Sequence, residues 1–258
     1  MLLKGRKFPY YFEGDITSLN YKIVKSGVQE LLKVSQIYCK KSPKSLTVLD
    51  AGSGRGEYVL EMSKYFKKVV GVEPFKDAYA FGVKSTPKKI KNVAFYNSGI
   101  EKYNSKEKYD LIVMLTVFEH LKNPKNAFNK VFSLLKKDGV VYLTAPNKYW
   151  LFEQHYGLPF LSWLPLSVAN IYLKTFRGVP SYEDSSYSRG YTAMKDFFDQ
   201  YKVEYEFILP LSTEGAFIGC GQNNSIYSFI KSLGITLIRM NPFFWNISKG
   251  FIMVIKKK

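Results

Sequence analysis

An apolar run, Val48-Leu49, passes directly into Asp50-Ala51-Gly52-Ser53-Gly54-Arg55-Gly56, so an acidic residue and three glycines stand where a strand gives way to a helix. Glycines at alternate positions let the backbone approach a ligand without Cβ clashes, and a helix starting near Glu57 would turn its free N–H groups to the same place. The spacing narrows the ligand. A dinucleotide fold asks for G-x-G-x-x-G and a P-loop for a Gly-Lys-Ser or Gly-Lys-Thr ending; this chain has G-x-G-x-G followed by Glu57. Taken alone, the turn fits a ligand cradle or a plain strand-to-helix loop. A second chemical candidate lies in Phe152-Glu153-Gln154-His155. Glu153 and His155 could pair and raise the basicity of the imidazole for deprotonating a hydroxyl, or they could form a polar tie with no catalytic part.

Such residues need elements to hold them. From residue 46 to 146 short apolar runs alternate with helical patterns, the signature of a mostly parallel sheet covered by helices. Strands are expected at 46–51, 68–73, 93–97, 110–116 and 140–145, each rich in β-branched or aromatic residues. A helix is expected over 124–136, with Ala127, Val131, Leu134 and Leu135 on one face behind Pro124, and Asp138-Gly139 stopping it. One or two leading helices fit residues 18–38, a further helix 192–201, and two last strands 205–209 and 251–255. Two stretches interrupt this order, at about 147–191 and 212–249. The expected fold is α/β: a Rossmann-like, seven-stranded, mostly parallel sheet with helices on both faces plus an inserted cap. By this division residues 1–45 are an N-terminal helical extension and 46–258 the main domain. Because ligands bind outside the carboxyl ends of parallel strands, an insertion leaving the fifth strand is placed to cover the site.

Composition bounds the partners. The formal net charge is +17 over 258 residues, and arginine occurs only at positions 6, 55, 177, 189 and 239. Lysines spread over many surface turns give a diffuse field, whereas a nucleic-acid groove favours arginine forks interleaved with aromatics. The charge therefore fits a solvated surface first, and attraction to RNA or anionic lipid second. Cys39 and Cys220 have no metal-type or C-x-x-C spacing, which reads as free thiols in a reducing compartment. Lys4, Gly5, Arg6, Lys7 and Pro9 break the first residues before an apolar run develops, unlike a secretory signal, so a cytoplasmic protein is expected, either free or in peripheral contact with membrane.

Taken in order, four segments resemble the class I S-adenosylmethionine-dependent methyltransferases. They are Asp50-Ala51-Gly52-Ser53-Gly54, Gly71-Val72-Glu73-Pro74, Phe118-Glu119-His120-Leu121 and Lys136-Lys137-Asp138-Gly139-Val140, within residues 46–147. The resemblance implies S-adenosylmethionine as cofactor and S-adenosylhomocysteine as product. It implies that Glu73 accepts from both ribose hydroxyls, the alternative being a helix-capping carboxylate beside Pro74. Asp50, Ala51, Gly52 and Gly54 would border the methionine part, with Leu115 and Thr116 offering a carbonyl to its amino group. Ile100 would present its N–H to adenine. Relatives often have aspartate where Gly99 stands, which would leave the adenine amino group to Ser98 or water.

The methyl acceptor is less constrained. Thr116-Val117-Phe118-Glu119 replaces the Asn-Pro-Pro-Tyr-like motif of base-amine methyltransferases, and neither cysteine resembles the cytosine-C5 motif, so nucleic acid is disfavoured. Phe118-Glu119-His120-Leu121 resembles the small-molecule branch that includes quinone O-methyltransferases. Some of these hold a divalent cation through Glu-x-x-Glu-His; Thr116 stands for the first glutamate, so no dedicated metal is expected. His120 would act as a base or only fix its loop. The stretch 154–173 has no charged residue and is broken by Pro159 and Pro165, which suits a lid or interfacial segment better than a crossing helix. With residues 217–230 and 242–247 it would cap a partly apolar acceptor, small or lipid- or glycan-linked, or simply pack as core. An RNA methyltransferase and a non-catalytic cofactor-binding scaffold are the competing functions.

Overall fold

The parallel runs assemble as their composition requires, because strands covered on both faces must be apolar throughout. A computed structural model describes residues 18–211 and 225–258. In it β1 (Thr47–Ala51), β2 (Lys68–Glu73), β3 (Val93–Asn97), β4 (Tyr109–Leu115), β5 (Leu135–Pro146), β6 (Val203–Phe207) and β7 (Gly250–Lys257) form one sheet in the order β3-β2-β1-β4-β5-β7-β6. β7 runs antiparallel to both of its neighbours, and the β1, β2, β3, β4 and β5 pairings are parallel. The order reverses between β1 and β4, so their carboxyl ends open a crevice at the switch point.

Helices cover both faces. On one, α1 (Ser18–Val34) buries Val28, Leu31 and Val34 against Val48, Leu111 and Tyr142, joined by Val59 and Met62 from α2 (Glu57–Met62). On the other, α4 (Pro124–Leu134) and α6 (Tyr191–Phe198) bring Phe128, Phe197 and Phe198 around Phe118. Those rings meet edge-on or tilted, with Phe118 to Phe197 centroids 5.4 Å apart. This aromatic cluster fixes the turn that follows β4, which carries chemistry described below. α3 (Lys76–Ser85) joins β2 to β3.

Element ends moved where pairing overrode local pattern. The fourth helix stops at Leu134, two residues short of the expected end, because Leu135 already pairs with Tyr109 in β5. Asp138-Gly139 therefore lies inside the strand, at a register shift; a Cβ on Gly139 would come within 2.9 Å of the Tyr109 carbonyl oxygen. β6 begins two residues before the expected 205, since its register is set by Val203 opposite Lys257.

The first insertion, 147–191, has a small core of its own. Its α5 (Leu166–Arg177) and the 3-10 turn Leu161–Trp163 bury Leu158, Leu161, Ala169 and Leu173, while Phe160 and Trp163 are each 46% exposed. Some of the apolar residues of this stretch thus pack while others face outward. The second insertion contains α7 (Ser225–Met240) and the turn Pro242–Ile247; Cys220 and residues 217–224 lie outside the described residues. Among the described residues no helix is long and apolar enough to cross a membrane.

Candidate functional site

The glycine turn sits at the switch point, and its backbone is left-handed at Gly52 (φ 93°), Gly54 (φ 54°) and Gly56 (φ 83°). At Gly52 a Cβ would stand 2.5 Å from Val117 Cγ2, so the turn is pressed against the loop after β4 and has no room for a side chain. Gly56 has a different reason: a Cβ there would strike the Phe95 ring at 2.6 Å, so the third glycine serves the packing of β3 on the turn. Arg55 points away, its guanidinium 3.7 Å from the Phe81 ring centroid and paired with Glu57.

Glu73 is buried at the end of β2 and holds the turn. Its Oε2 accepts the Gly54 N–H at 2.8 Å and its Oε1 accepts the Phe75 N–H at 2.9 Å. Phe75 is the residue before α3, so this bond anchors the approach to the helix and does not cap its first turn, and the same carboxylate faces the glycine turn. Burial raises the Glu73 pKa against the pull of these two N–H groups. Asp50, at the end of β1, is pushed up to about 7 by burial first and then by the charges of Glu73 and Glu57. Its Oδ2 and the Ser53 Oγ are buried with no hydrogen-bond partner. Asn97, which the sequence reading passed over, ties β3 to β2 by donating from Nδ2 to the Glu73 and Pro74 carbonyls.

Ser98, Gly99 and Ile100 follow on β3. Ser98 gives its N–H to the Glu73 carbonyl and its hydroxyl to the Gly99 carbonyl, while Ile100 is buried. The space a Gly99 side chain would take is bordered by Glu101 Oε2, 2.8 Å from the Cβ position, so a carboxylate returns to the place where Gly99 lacks one. Across the crevice Thr116 ends β4 with φ 53°, an uncommon conformation for a residue with a Cβ. It is held by its N–H donating to Thr144, and its hydroxyl donates to the Leu115 carbonyl.

A second polar group stands just beyond, and it is made by folding. Glu119 and His120 lie on the 3-10 turn Phe118–His120, and His155 comes from the first insertion. Glu119 is fully buried, and neither of its oxygens has a hydrogen-bond partner. Its Oε1 is 3.5 Å from His155 Nε2 and 4.0 Å from His120 Nε2, and the two rings are 5.2 Å apart between centroids. His120 Nδ1 is 2.7 Å from the Asp184 carbonyl oxygen. A carbonyl can only accept, so Nδ1 carries the proton and Nε2 is left to face Glu119. Burial keeps His120 below its usual pKa. At His155 burial acts the same way, but the Glu119 carboxylate, and then the charge of Glu153, outweigh it and raise the value.

The Glu153–His155 pairing takes a form other than the one expected. Glu153 Oε2 accepts the backbone N–H groups of His155 and Tyr156 at 2.8 and 2.7 Å, so its carboxylate shapes the turn while Glu119 meets the imidazole. In the sequence Glu119 stands as the second glutamate of the Glu-x-x-Glu-His pattern, and nothing there links it to His155.

Among the described residues a cavity of about 510 Å³ runs from Thr116 and Thr144 toward both insertions. Trp150 and Gln154 border it from the first, and Leu237, Ile238, Phe244 and Ile247 from the second. Most of its lining residues are apolar, with Thr116, Thr144, Gln154, Ser248 and Lys249 as the polar exceptions. Asp50 and Glu73 do not line it; Thr116 is where it touches the crevice.

Comparison with known proteins adds the following. Residues 21–183, well over half of the chain, match the family model described as a methyltransferase domain. The chain is 27% identical over 129 residues to a probable (S)-tetrahydroprotoberberine N-methyltransferase 2 of Papaver bracteatum, covering 48% of this chain and 36% of that protein. It is 29% identical over 103 residues to the malonyl-[acyl-carrier protein] O-methyltransferase of Bacillus cereus, covering 39% and 38%. A ubiquinone biosynthesis O-methyltransferase of Bradyrhizobium diazoefficiens is 24% identical over 105 residues, covering 41% and 42%. The chain thus spans about two fifths of the length of these curated relatives, between 36% and 42%. Among solved structures it resembles the plantazolicin methyltransferase BamL in complex with a triazolic desmethylPZN analog and SAH, with TM-score 0.57, 18% identity and coverage of 92% of this chain and 86% of that one. The YcgJ protein from Bacillus subtilis gives TM-score 0.56 at 18% identity, covering 91% and 98%. These likenesses are of fold.

Proposed function

The chain belongs to the class I S-adenosylmethionine-dependent methyltransferase family, and we propose that it transfers the sulfonium methyl group of that cofactor to an oxygen of a partly apolar small or lipid-linked acceptor. The observation that carries the acceptor class is the apolar cavity that meets the crevice at Thr116. Bound cofactor supplies an activated methyl group; the protein has to orient the acceptor, manage its proton and exclude water.

The residues present fit the cofactor. The buried, unpartnered Asp50 Oδ2 and Ser53 Oγ suit a cationic amino group, and the Gly52 backbone leaves a surface that any Cβ would fill. Glu73 then serves the ribose while it holds Gly54, with Ala51, Gly54, Pro74 and Leu115 as the remaining border. Ser98, Gly99 and Ile100 flank the adenine, with Glu101 supplying the carboxylate that Gly99 cannot. His120, His155 and Glu119 form the polar group for the acceptor oxygen, and Glu153 sets the backbone turn that aims His155.

Asp50 makes cofactor binding sensitive to pH. A carboxyl with a folded pKa of about 7 is half protonated near neutrality and gains its charge as pH rises. The ionised form attracts the ammonium group, so affinity should climb by up to roughly tenfold per pH unit below that value and flatten above it. Calorimetry from pH 5.5 to 8.5 would show this limb in the wild type and its loss in Asp50→Asn. A flat wild-type profile would exclude the ammonium contact.

Phe160, Trp163 and Ile171 lie exposed on the first insertion, and the net charge of +17 favours an anionic surface, which supports peripheral contact with membrane. Flotation with anionic vesicles should recover the protein at low salt and release it at high salt; no recovery at low salt would remove the membrane from the proposal.

The deciding experiment supplies radiolabelled S-adenosylmethionine to the protein in cell extract and separates lipid, small-metabolite, protein and RNA fractions. Label in the lipid or small-metabolite fraction is expected. Label in RNA alone would reverse the acceptor assignment, and absence of binding to either S-adenosylmethionine or S-adenosylhomocysteine by calorimetry would defeat the methyl-transfer reading itself.

A further inference from the structure

We propose that Glu119, His120 and His155 form a binding site for a divalent transition-metal ion of the zinc type. It deepens the reading above by naming how the polar group at the acceptor end works, and it rests on that reading only for the site's use.

One donor atom from each of Glu119, His120 and His155 lies within 4.8 Å of the other two. Two of the edges are 3.5 and 4.0 Å. An ion with bonds of about 2.0–2.2 Å to such ligands sits among donors separated by about 3.0–3.6 Å, so the 3.5 Å edge already fits and the 4.0 Å edge has to close by about 0.4 Å or more. The side chains are prepared for it. Glu119 is a carboxylate with no exposure and no hydrogen bond to either oxygen, which is costly unless a cation answers it. The two imidazoles answer only in part. His120 cannot turn its ring freely, because Nδ1–H is committed to the Asp184 carbonyl, and this is the outer contact that metal-bound histidines use to fix their tautomer. The turn that carries Glu119 is itself pinned, its backbone carbonyl oxygen accepting the Tyr187 N–H at 3.2 Å. His155 is aimed by the turn that Glu153 closes.

The donor set selects the ion. Two nitrogens and one carboxylate oxygen suit zinc, cobalt(II) or iron(II), whereas magnesium and calcium require a shell of oxygens. Three protein ligands leave a position open. His120 is the most exposed of the three, with 30% of its side chain accessible against 12% for His155 and none for Glu119, so the open position faces its side. An oxygen that joins the ion there becomes more acidic. The third ligand comes from the insertion after β5, so binding also ties the cap to the loop after β4. Thr116 in place of a glutamate argued against a metal when only sequence neighbours were considered; His155 enters from outside that neighbourhood.

The test uses the full chain stripped of metal and titrated with Zn²⁺ and with Co²⁺, followed by calorimetry and by visible absorption. One equivalent of each should bind, Co²⁺ giving the intense bands of a low-coordinate nitrogen and oxygen site, and Mg²⁺ at the same concentration should not. His155→Asn, and separately Glu119→Gln, should weaken Zn²⁺ binding by roughly 100-fold or more, while S-adenosylmethionine affinity stays unchanged. Failure of the wild-type protein to bind either ion, or binding that neither variant weakens, overturns the proposal. Because cofactor affinity is read on the same samples, a protein that binds S-adenosylmethionine and no metal would sink the metal site alone.

Discussion

Glu73→Ala should lower S-adenosylmethionine affinity by roughly 100-fold or more, about 3 kcal/mol, the larger of the two losses expected from single substitutions at the cofactor side. The side chain does two jobs with one carboxylate. It holds the Gly54 and Phe75 N–H groups at 2.8 and 2.9 Å, and it ends β2 where the ribose would lie. Alanine would leave buried donors without an acceptor and free the glycine turn, each a cost of about 1–3 kcal/mol. Glu73→Gln separates the jobs. Its amide keeps one acceptor oxygen and places an NH₂ against the other N–H, so the turn loosens while the volume is kept. Calorimetry with S-adenosylhomocysteine, which lacks the reactive methyl, should rank wild type above Gln above Ala. Equal affinity for wild type and Ala would remove Glu73 from the site.

Glu119→Gln should leave stability nearly unchanged while turnover collapses. In metal-free protein the buried carboxylate has no hydrogen bond to either oxygen, and a neutral amide can donate to one of the facing imidazoles. The amide relieves a buried charge but gives up the attraction of the carboxylate for His155, so the variant should unfold within about 1 kcal/mol of wild type. Methyl transfer should nevertheless fall by roughly 100-fold or more, since the group that handles the acceptor oxygen has lost its charge. Cofactor affinity should hold, as Glu119 makes no contact with Asp50, Gly54 or Glu73 among the hydrogen bonds of the turn. Thermal unfolding with and without Zn²⁺, beside single-turnover rates, reads both effects. A loss of about 3 kcal/mol or more in the metal-free variant would mean that the charge is already satisfied within the fold, contrary to its role as a waiting ligand.

The opposite shifts of the two histidines bear on this group as well. Burial keeps His120 neutral further into the acid range, and Glu119 keeps His155 charged further toward neutrality. Without the carboxylate, His155 would lose its main upward influence, so the Gln substitution should lower the pH at which that ring titrates.

Much of the parallel half of the sheet was legible before folding. β2 and β3 have the expected limits because each is an apolar run bounded by charged or polar residues, and β1 and β4 shift by a single residue. Strands buried on both faces advertise themselves in composition. The antiparallel edge was harder to delimit: β6 alternates Val203, Glu204, Tyr205, Glu206 and Phe207, and its limits follow from pairing with β7 rather than from its own residues. The C-terminal end of α4 was misplaced for a similar reason, since Leu135 satisfies a helical pattern and a strand pairing equally and the sheet decides.

The cofactor side of the site was readable because local backbone chemistry encodes it. Glycines at positive φ and a carboxylate at a strand end leave a trace within a few residues. The acceptor side left almost none. Glu119 and His155 are far apart in sequence, and the residue next in line, Glu153, turned out to serve the backbone. Sequence by itself determined the α/β order, the glycine turn and the acidic strand end, because these depend on contacts a few residues apart. Tertiary structure alone decided which carboxylate meets which imidazole and where the apolar insertions converge, because those contacts exist only after the sheet has brought the end of β4 and the segment after β5 side by side.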